Sequence, residues 1–266
     1  MRARTVVPLL SALVAAGLLA AAPPAFAAAP KPAVLAATGD SITRAFDVDS
    51  SHFLKDAPAE SWATGTDSRV GSVLTRLGTG VTAYNDAVTG AKMSALDGQL
   101  LNAAAQNADG VTVQMGANDV CTSSVSTMTT TTAFTTQFDT ALKDFTTKRP
   151  NATIAVSSLP NVYQLWSVLH TNGSARFTWS LFGECKSMLA SSATEAQRQT
   201  VLAQEQADNA ALATVCAKYT NCHWDGGAVF KTTFTSGQIS TVDYFHPNVS
   251  GQTVLASVAW SSGPWA

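Results

Sequence analysis

The chain has 266 residues, only 13% of them charged, and a formal net charge of −2. Its basic residues are scattered, so it carries no electrostatic footprint for nucleic acid. Beyond the N-terminus no apolar stretch approaches the length that spans a bilayer.

The N-terminus is set apart. Arg2 and Arg4 precede an apolar run from Val6 to Ala22, and Ala25-Phe26-Ala27 is a small-x-small cleavage pattern. This predicts a secretory signal peptide over residues 1–27, because the apolar core is short and the cleavage signal follows at once. Residues 28–266 then form one domain, a length that suits a single core. Without Arg2 and Arg4 the formal charge becomes −4. The expectation is an exported monomer with no stable membrane insertion.

In chain order, residues 34–38 read as a short buried strand, and the chain must turn sharply at Gly39-Asp40-Ser41-Ile42. A serine on a tight strand-to-helix turn has its hydroxyl presented at a sheet edge. Gly, Asp and Ser also favour ordinary turns, so this motif alone decides nothing. Residues 46–66 form a long irregular stretch, and Phe53 and Trp62 suggest packing near the serine. A short helix is expected over 68–77, stopped by Gly78. A strand over 81–84 leads to Asn85 and Gly90, and a helix over 93–105 carries Leu96, Leu100 and Leu101.

The β-branched run 111–115 reads as a strand ending at Gly116-Ala117-Asn118-Asp119. Residues 122–132 are rich in Thr and Ser and read as a loop and helix start. Beyond them Phe134, Phe138, Leu142 and Phe145 recur at helical spacing. A strand over 153–156 comes next, then an aromatic, irregular segment over 161–186 that contains Trp166, Phe177, Trp179 and Phe182. A long helix is expected over 192–218, a short strand over 228–230, and a helix over 249–260. Strands alternating with helices predict a parallel sheet covered on both faces, an α/β fold. Ligands of such sheets sit beyond the carboxyl ends of the strands, where Ser41, Gly90 and Asn118 all fall.

Four cysteines lie beyond residue 27: Cys121, Cys185, Cys216 and Cys222. An even number in an exported chain reads as disulfides, with three connectivities open. Nearness in sequence favours Cys216–Cys222 and leaves Cys121–Cys185. No pair has the spacing of a structural zinc site, and no dense acidic cluster resembles a calcium loop. No metal and no cofactor are expected.

The last motif is Asp243-Tyr244-Phe245-His246-Pro247. An aspartate three residues before a histidine can orient its imidazole and stabilise the charged form, while the other ring nitrogen takes a serine proton. A capping aspartate beside a structural histidine is the plainer alternative. His52 lies in the long irregular stretch, His170 in the aromatic segment and His223 beside Cys222, and each reads as a surface or packing residue.

Together, Gly39-Asp40-Ser41, Gly90 after Asn85, Gly116-Ala117-Asn118-Asp119 and Asp243-Tyr244-Phe245-His246 resemble the four ordered blocks of the SGNH (GDSL) hydrolases. The resemblance implies a flavodoxin-like, three-layer α/β/α sandwich and ester hydrolysis. It implies Ser41 as nucleophile, His246 as base, Asp243 as its partner, and an oxyanion hole from the N–H groups of Ser41 and Gly90 with the Asn118 side chain. Gly90 would allow close backbone approach without a Cβ, and Asp40 and Asp119 would be structural. Isoleucine at position 42 departs from the usual leucine. Ser61-Trp62, Asn118-Asp119-Val120-Cys121 and the proline after His246 are similar to the phospholipase-B-like branch, which implies lipid esters. A carbohydrate acetylesterase, or an inactive binding module on the same scaffold, are the alternatives. The aromatic segment reads either as ordinary core packing or as an apolar wall beside Ser41 that receives an acyl chain.

Overall fold

The computed structural model describes residues 28–266; the predicted signal peptide lies outside the described residues. Five parallel strands make one sheet: β1 (Val34–Gly39), β2 (Thr82–Asn85), β3 (Gly110–Gln114), β4 (Thr153–Val156) and β5 (Cys222–Trp224). Their order is β2-β1-β3-β4-β5. This is the flavodoxin-like arrangement, in which the switch point lies between β1 and β3. The register sets Gly39 against Gln114, so both strands end at one level.

Alternation along β1 shows why both faces need cover. Leu35 and Ala37 belong to one buried cluster and Ala36 to another. On one face pack α2 (Leu96–Ala105), α4 (Thr131–Lys148) and much of α8 (Glu195–Cys216). The other face carries α1 (Val73–Leu77), α5 (Val162–Leu169), α6 (Gly173–Phe182), α7 (Lys186–Leu189) and α10 (Val249–Ser261). Two single turns, α3 (Ala117–Val120) and α9 (Ala228–Lys231), complete the set.

The structure corrects three sequence expectations. The helix over 68–77 is only Val73–Leu77, because Gly71 takes a positive φ of 60° and Ser72 caps the turn through the Thr75 N–H. The segment over 161–186 is not irregular. Asn161 and Asn172 cap α5 and α6 by accepting the N–H groups of Gln164 and Ala175. Aromatic residues on several faces hid the helical period. The last strand is not 228–230, which forms α9 behind Gly226 and Gly227, both at positive φ. Asp225 caps that turn through the N–H groups of Gly227 and Val229. The strand is Cys222–Trp224, three residues that begin at the second cysteine of the Cys216–Cys222 pair.

Both disulfides pair as expected, Cys121–Cys185 and Cys216–Cys222, and no free cysteine occurs among the described residues. The first ties the segment after β3 to the start of α7. No described helix is long and apolar enough to cross a membrane.

Candidate active site

β1 hands the chain to Ser41 through a glycine that nothing can replace. Gly39 sits at φ 153°, and a Cβ there would overlap Thr43 Oγ1 and come within 2.5 Å of the Gln114 carbonyl. Gln99 of α2 brackets the same residue, accepting its N–H at 2.8 Å and donating to its carbonyl at 2.9 Å. After Ser41 the chain runs through a series of turns. The Arg44 N–H donates to the Asp40 carbonyl and the Phe46 N–H to that of Ser41.

Those turns are held from far away in sequence. Gln252 of α10 is fully buried, donates to the Ile42 carbonyl at 2.9 Å and accepts the Trp62 N–H at 2.9 Å. Ser61 Oγ and Asn85 Nδ2 both donate to the Thr43 carbonyl, at 2.7 and 3.1 Å. Trp62 is buried as expected, whereas Phe53 stands in solvent.

The structure brings Ser41, Asp243 and His246 together, all of them buried. His246 Nδ1–H donates to Asp243 Oδ2 at 2.5 Å, which leaves Nε2 to accept the Ser41 hydroxyl at 2.8 Å. Asp243 Oδ1 accepts the N–H groups of Phe245 and His246, so the carboxylate shapes the turn that presents the ring. Tyr244 pays for that shape with a positive φ of 56°. Its carbonyl accepts Trp179 Nε1–H at 3.0 Å, which ties the turn to α6. Phe46 and Phe245 stand edge-on to the imidazole, with ring centres at 5.3 and 4.9 Å.

Electrostatics match this geometry. Burial disfavours a charged His246, but the Asp243 charge and hydrogen bond outweigh it, with help from Glu184 and Asp40, so the imidazole pKa is raised. Burial also pushes Asp243 up, and the His246 charge and the hydrogen bonds pull it below the usual carboxylate value. Asp40 is pushed up to about 6 by burial, against its hydrogen bond from the Ile42 N–H. Asp119 is raised by burial and accepts the Met93 N–H at 2.8 Å. Both hold turns, as their positions in the sequence suggest.

Donors for a developing negative charge lie on the same rim. The N–H groups of Ser41 and Gly90 have no acceptor among the described residues. Asn118 Nδ2 donates to the Ala91 carbonyl at 3.0 Å, which joins the β3 turn to the Gly90 turn and leaves its second N–H. The Val88 N–H, bonded to the Gly39 carbonyl, sets that turn against the end of β1. Gly90 takes a φ of +80°, which glycine adopts without strain, and a Cβ there would meet no protein atom within 4 Å.

The other histidines lie apart. His52 bonds to Asp49 at 2.9 Å, His170 Nδ1 to the Trp166 and Ser167 carbonyls, and His223 is on β5.

A family model described as GDSL-like lipase/acylhydrolase matches residues 37–254, which begins inside β1 and runs past His246 into α10. The chain belongs to the GDSL-like lipase/acylhydrolase family. Membership makes it a carboxylic ester hydrolase of the GDSL type. Solved structures share the fold at low identity. An extracellular lipase from Streptomyces rimosus is 17% identical, with 86% of this chain and 99% of that one covered, at a TM-score of 0.54. An alpha/beta hydrolase from the metagenome of Lake Arreo, Spain, is 15% identical over 89% and 96%, at 0.56. A mutant of an acetylxylan esterase from Geobacillus stearothermophilus is 15% identical over 86% and 93%, at 0.53. No curated protein sequence matches the chain.

Beside the Gly39–Ile42 turn lies an apolar pocket of about 50 Å³. Ile42, Ala117, Phe245 and Pro247, each next in sequence to a site residue, form one side. Val162 and Leu165 of α5 with Phe234 and Leu255 close it. Trp166 and Trp179 are not its wall. Trp166 lies under the Arg198 guanidinium at 3.7 Å, and Trp179 is buried against the Tyr244 turn. Gln164 ties the pocket lining together by donating to the Phe234 carbonyl at 2.7 Å. Sequence inspection missed Gln99, Gln252 and Phe234, for which no local motif exists.

Proposed function

We propose that this chain is an exported serine ester hydrolase that cleaves lipid esters of the phospholipase A/B kind through an acyl-enzyme. One observation carries the reading: the unbroken chain from Asp243 through His246 to the Ser41 hydroxyl. Ser41 Oγ attacks the ester carbonyl while His246 Nε2 takes its proton, and Asp243 stabilises the imidazolium. The oxyanion is received by the Ser41 and Gly90 N–H groups and Asn118 Nδ2. Each such donor typically contributes ~2.7–4 kcal/mol. His246 returns the proton to the departing alcohol, then activates a water that releases the acid.

The apolar pocket supports an acyl rather than a sugar-facing subsite at this position. A water needs about 10–15 Å³ of cavity, so the pocket takes about four water-sized groups, the first carbons of an acyl chain. Two disulfides support an oxidising, extracellular setting. The test is labelling by a fluorophosphonate together with hydrolysis of p-nitrophenyl esters and phosphatidylcholine. Ser41→Ala is expected to abolish labelling, and Ser41→Ala and His246→Ala to lose most turnover without additivity in the double variant. Near-normal turnover by Ser41→Ala would sink the assignment.

A further inference from the structure

The solvent face of α6 is apolar. Phe177 and Leu181 lie four residues apart and so on one side of the helix, opposite the buried Ala175 and Trp179. They are 69% and 65% exposed, where a surface helix ordinarily carries polar groups. At the end of the same helix Phe182 sets its ring 6.5 Å from that of Phe53, and Leu54 follows Phe53. All three are well exposed. Five of the seven large hydrophobic residues exposed among the described residues thus come from two segments in contact. Scattered single residues would need no explanation; a joined group of this kind does.

Both segments border the site. The Leu54 N–H donates to the Asp47 carboxylate, and the Asp47 carbonyl accepts the Ser240 hydroxyl at 2.5 Å, at the start of the loop that carries Asp243 and His246. From the other side, Trp179 of α6 holds the Tyr244 carbonyl. The helix ends at Gly183, and Glu184 then lies close enough to feel the charges of His246, Asp243 and Asp47.

The exposed charged residues around this group are all basic. Lys55, Arg176 and Lys186 are exposed on or beside the two segments, and none forms an ion pair among the described residues. The nearby acids are buried or half-buried: Asp47 accepts the Leu54 N–H, Asp49 bonds to His52, Asp56 pairs with Arg44, and Glu184 lies beside the site. The outermost charges of this margin are thus basic on a chain whose net charge is negative.

We propose that Phe53, Leu54, Phe177, Leu181 and Phe182 form an interfacial docking surface that sets the active site against a lipid aggregate bearing anionic headgroups. The proposal rests on the lipid-ester reading above. Side chains of this kind enter the boundary between headgroups and acyl chains, and basic residues at the margin bind the anionic surface. A second copy of the chain fits less well, because pairing like faces would bring Lys55, Arg176 and Lys186 of two molecules together.

Sedimentation with ether-linked vesicles, which cannot be hydrolysed, tests docking apart from turnover. Two compositions are compared: ether-linked phosphatidylcholine alone, and the same lipid mixed equally with ether-linked phosphatidylglycerol. The protein is expected to bind the mixed vesicles more tightly. Phe177→Ser/Leu181→Ser should weaken binding to both by at least about tenfold. Lys55→Gln and Arg176→Gln should each weaken binding to the mixed vesicles about fivefold and leave binding to phosphatidylcholine alone unchanged. All these variants should hydrolyse soluble p-nitrophenyl acetate at the unaltered rate, which shows that they fold. Equal vesicle binding by Phe177→Ser/Leu181→Ser, or no vesicle binding by the unaltered protein, overturns the proposal. So does a dimer in sedimentation velocity that dissociates on these substitutions while vesicles stay unbound. Since the vesicles are inert, those results would leave the esterase reading standing. Loss of that reading would instead show as failure on soluble esters.

Discussion

Removal of the Cys121–Cys185 bridge by Cys121→Ala/Cys185→Ala should cost both stability and catalysis, in amounts that its position determines. The bridge spans 64 residues of sequence, whereas Cys216–Cys222 spans 6. Loop-closure entropy then gives about 4 kcal/mol for the first and about 2 kcal/mol for the second. Against a typical domain stability of ~5–15 kcal/mol the first is a large share. Its location adds the catalytic effect. Cys121 directly follows α3, whose single turn contains Asn118, and the Cys121 N–H donates to the Ala117 carbonyl at 2.8 Å. Cys185 begins α7, and Ser187 of that helix donates through its hydroxyl to the Val120 carbonyl at 2.9 Å. Untying the pair therefore loosens the turn that aims the Asn118 amide, and kcat should fall more than KM rises. Urea titration of both double variants, with kcat and KM on p-nitrophenyl butyrate below the unfolding transition, measures each effect. If Cys216→Ala/Cys222→Ala proves the more destabilising, the loop-length reasoning is wrong. If kcat is unchanged without the long bridge, its link to Asn118 is wrong.

Other outcomes come from the site itself. His246 must be neutral to accept the Ser41 proton, and its pKa is raised by Asp243, so kcat/KM should fall as pH drops through a midpoint above the ordinary value of about 6.5. A rate that stays flat well below that value would point to another base. Gly90→Ala forces a Cβ residue into a φ of +80° at a cost of roughly 1–2 kcal/mol. The displaced N–H should lower kcat by up to about a hundredfold, and the strain should lower Tm by roughly 2–8 °C; an unchanged kcat would remove Gly90 from the oxyanion hole. Along a series of p-nitrophenyl esters, kcat/KM should rise about fourfold per methylene until the pocket is full. Leu165→Ala or Phe234→Ala should move that limit to longer chains, and Trp166→Ala should not.

The reacting turns were legible because each is local in sequence. Gly39-Asp40-Ser41, Gly116-Ala117-Asn118-Asp119 and the Asp243–His246 turn each need particular residue types at fixed short spacing, whatever surrounds them. Alternating strands and helices also declared a parallel sheet. The remainder depends on contacts made across the fold. Gln99 acts on a backbone 60 residues away and Gln252 on one 210 residues away. A glutamine in a helix carries no sign of such a duty. The lining of the apolar pocket is hidden for a similar reason. Trp166 and Phe234 look equally apolar in sequence, and only the fold sets Phe234 in the pocket lining with Ile42.

The span of those contacts bears on when the molecule becomes dangerous to esters. The proposed nucleophile, Ser41, comes early in the chain, and the proposed base, His246, appears 205 residues later. The glutamine that fixes the carbonyl after Ser41 comes later still. During synthesis the serine turn emerges with no proton acceptor and with its shape unheld, since His246 and Gln252 are made near the end of the chain. A nascent or prematurely ended chain that stops before His246 is inert, however well β1 to β4 have formed. No inhibitory segment is needed to keep an unfinished copy from attacking esters of the cell that makes it.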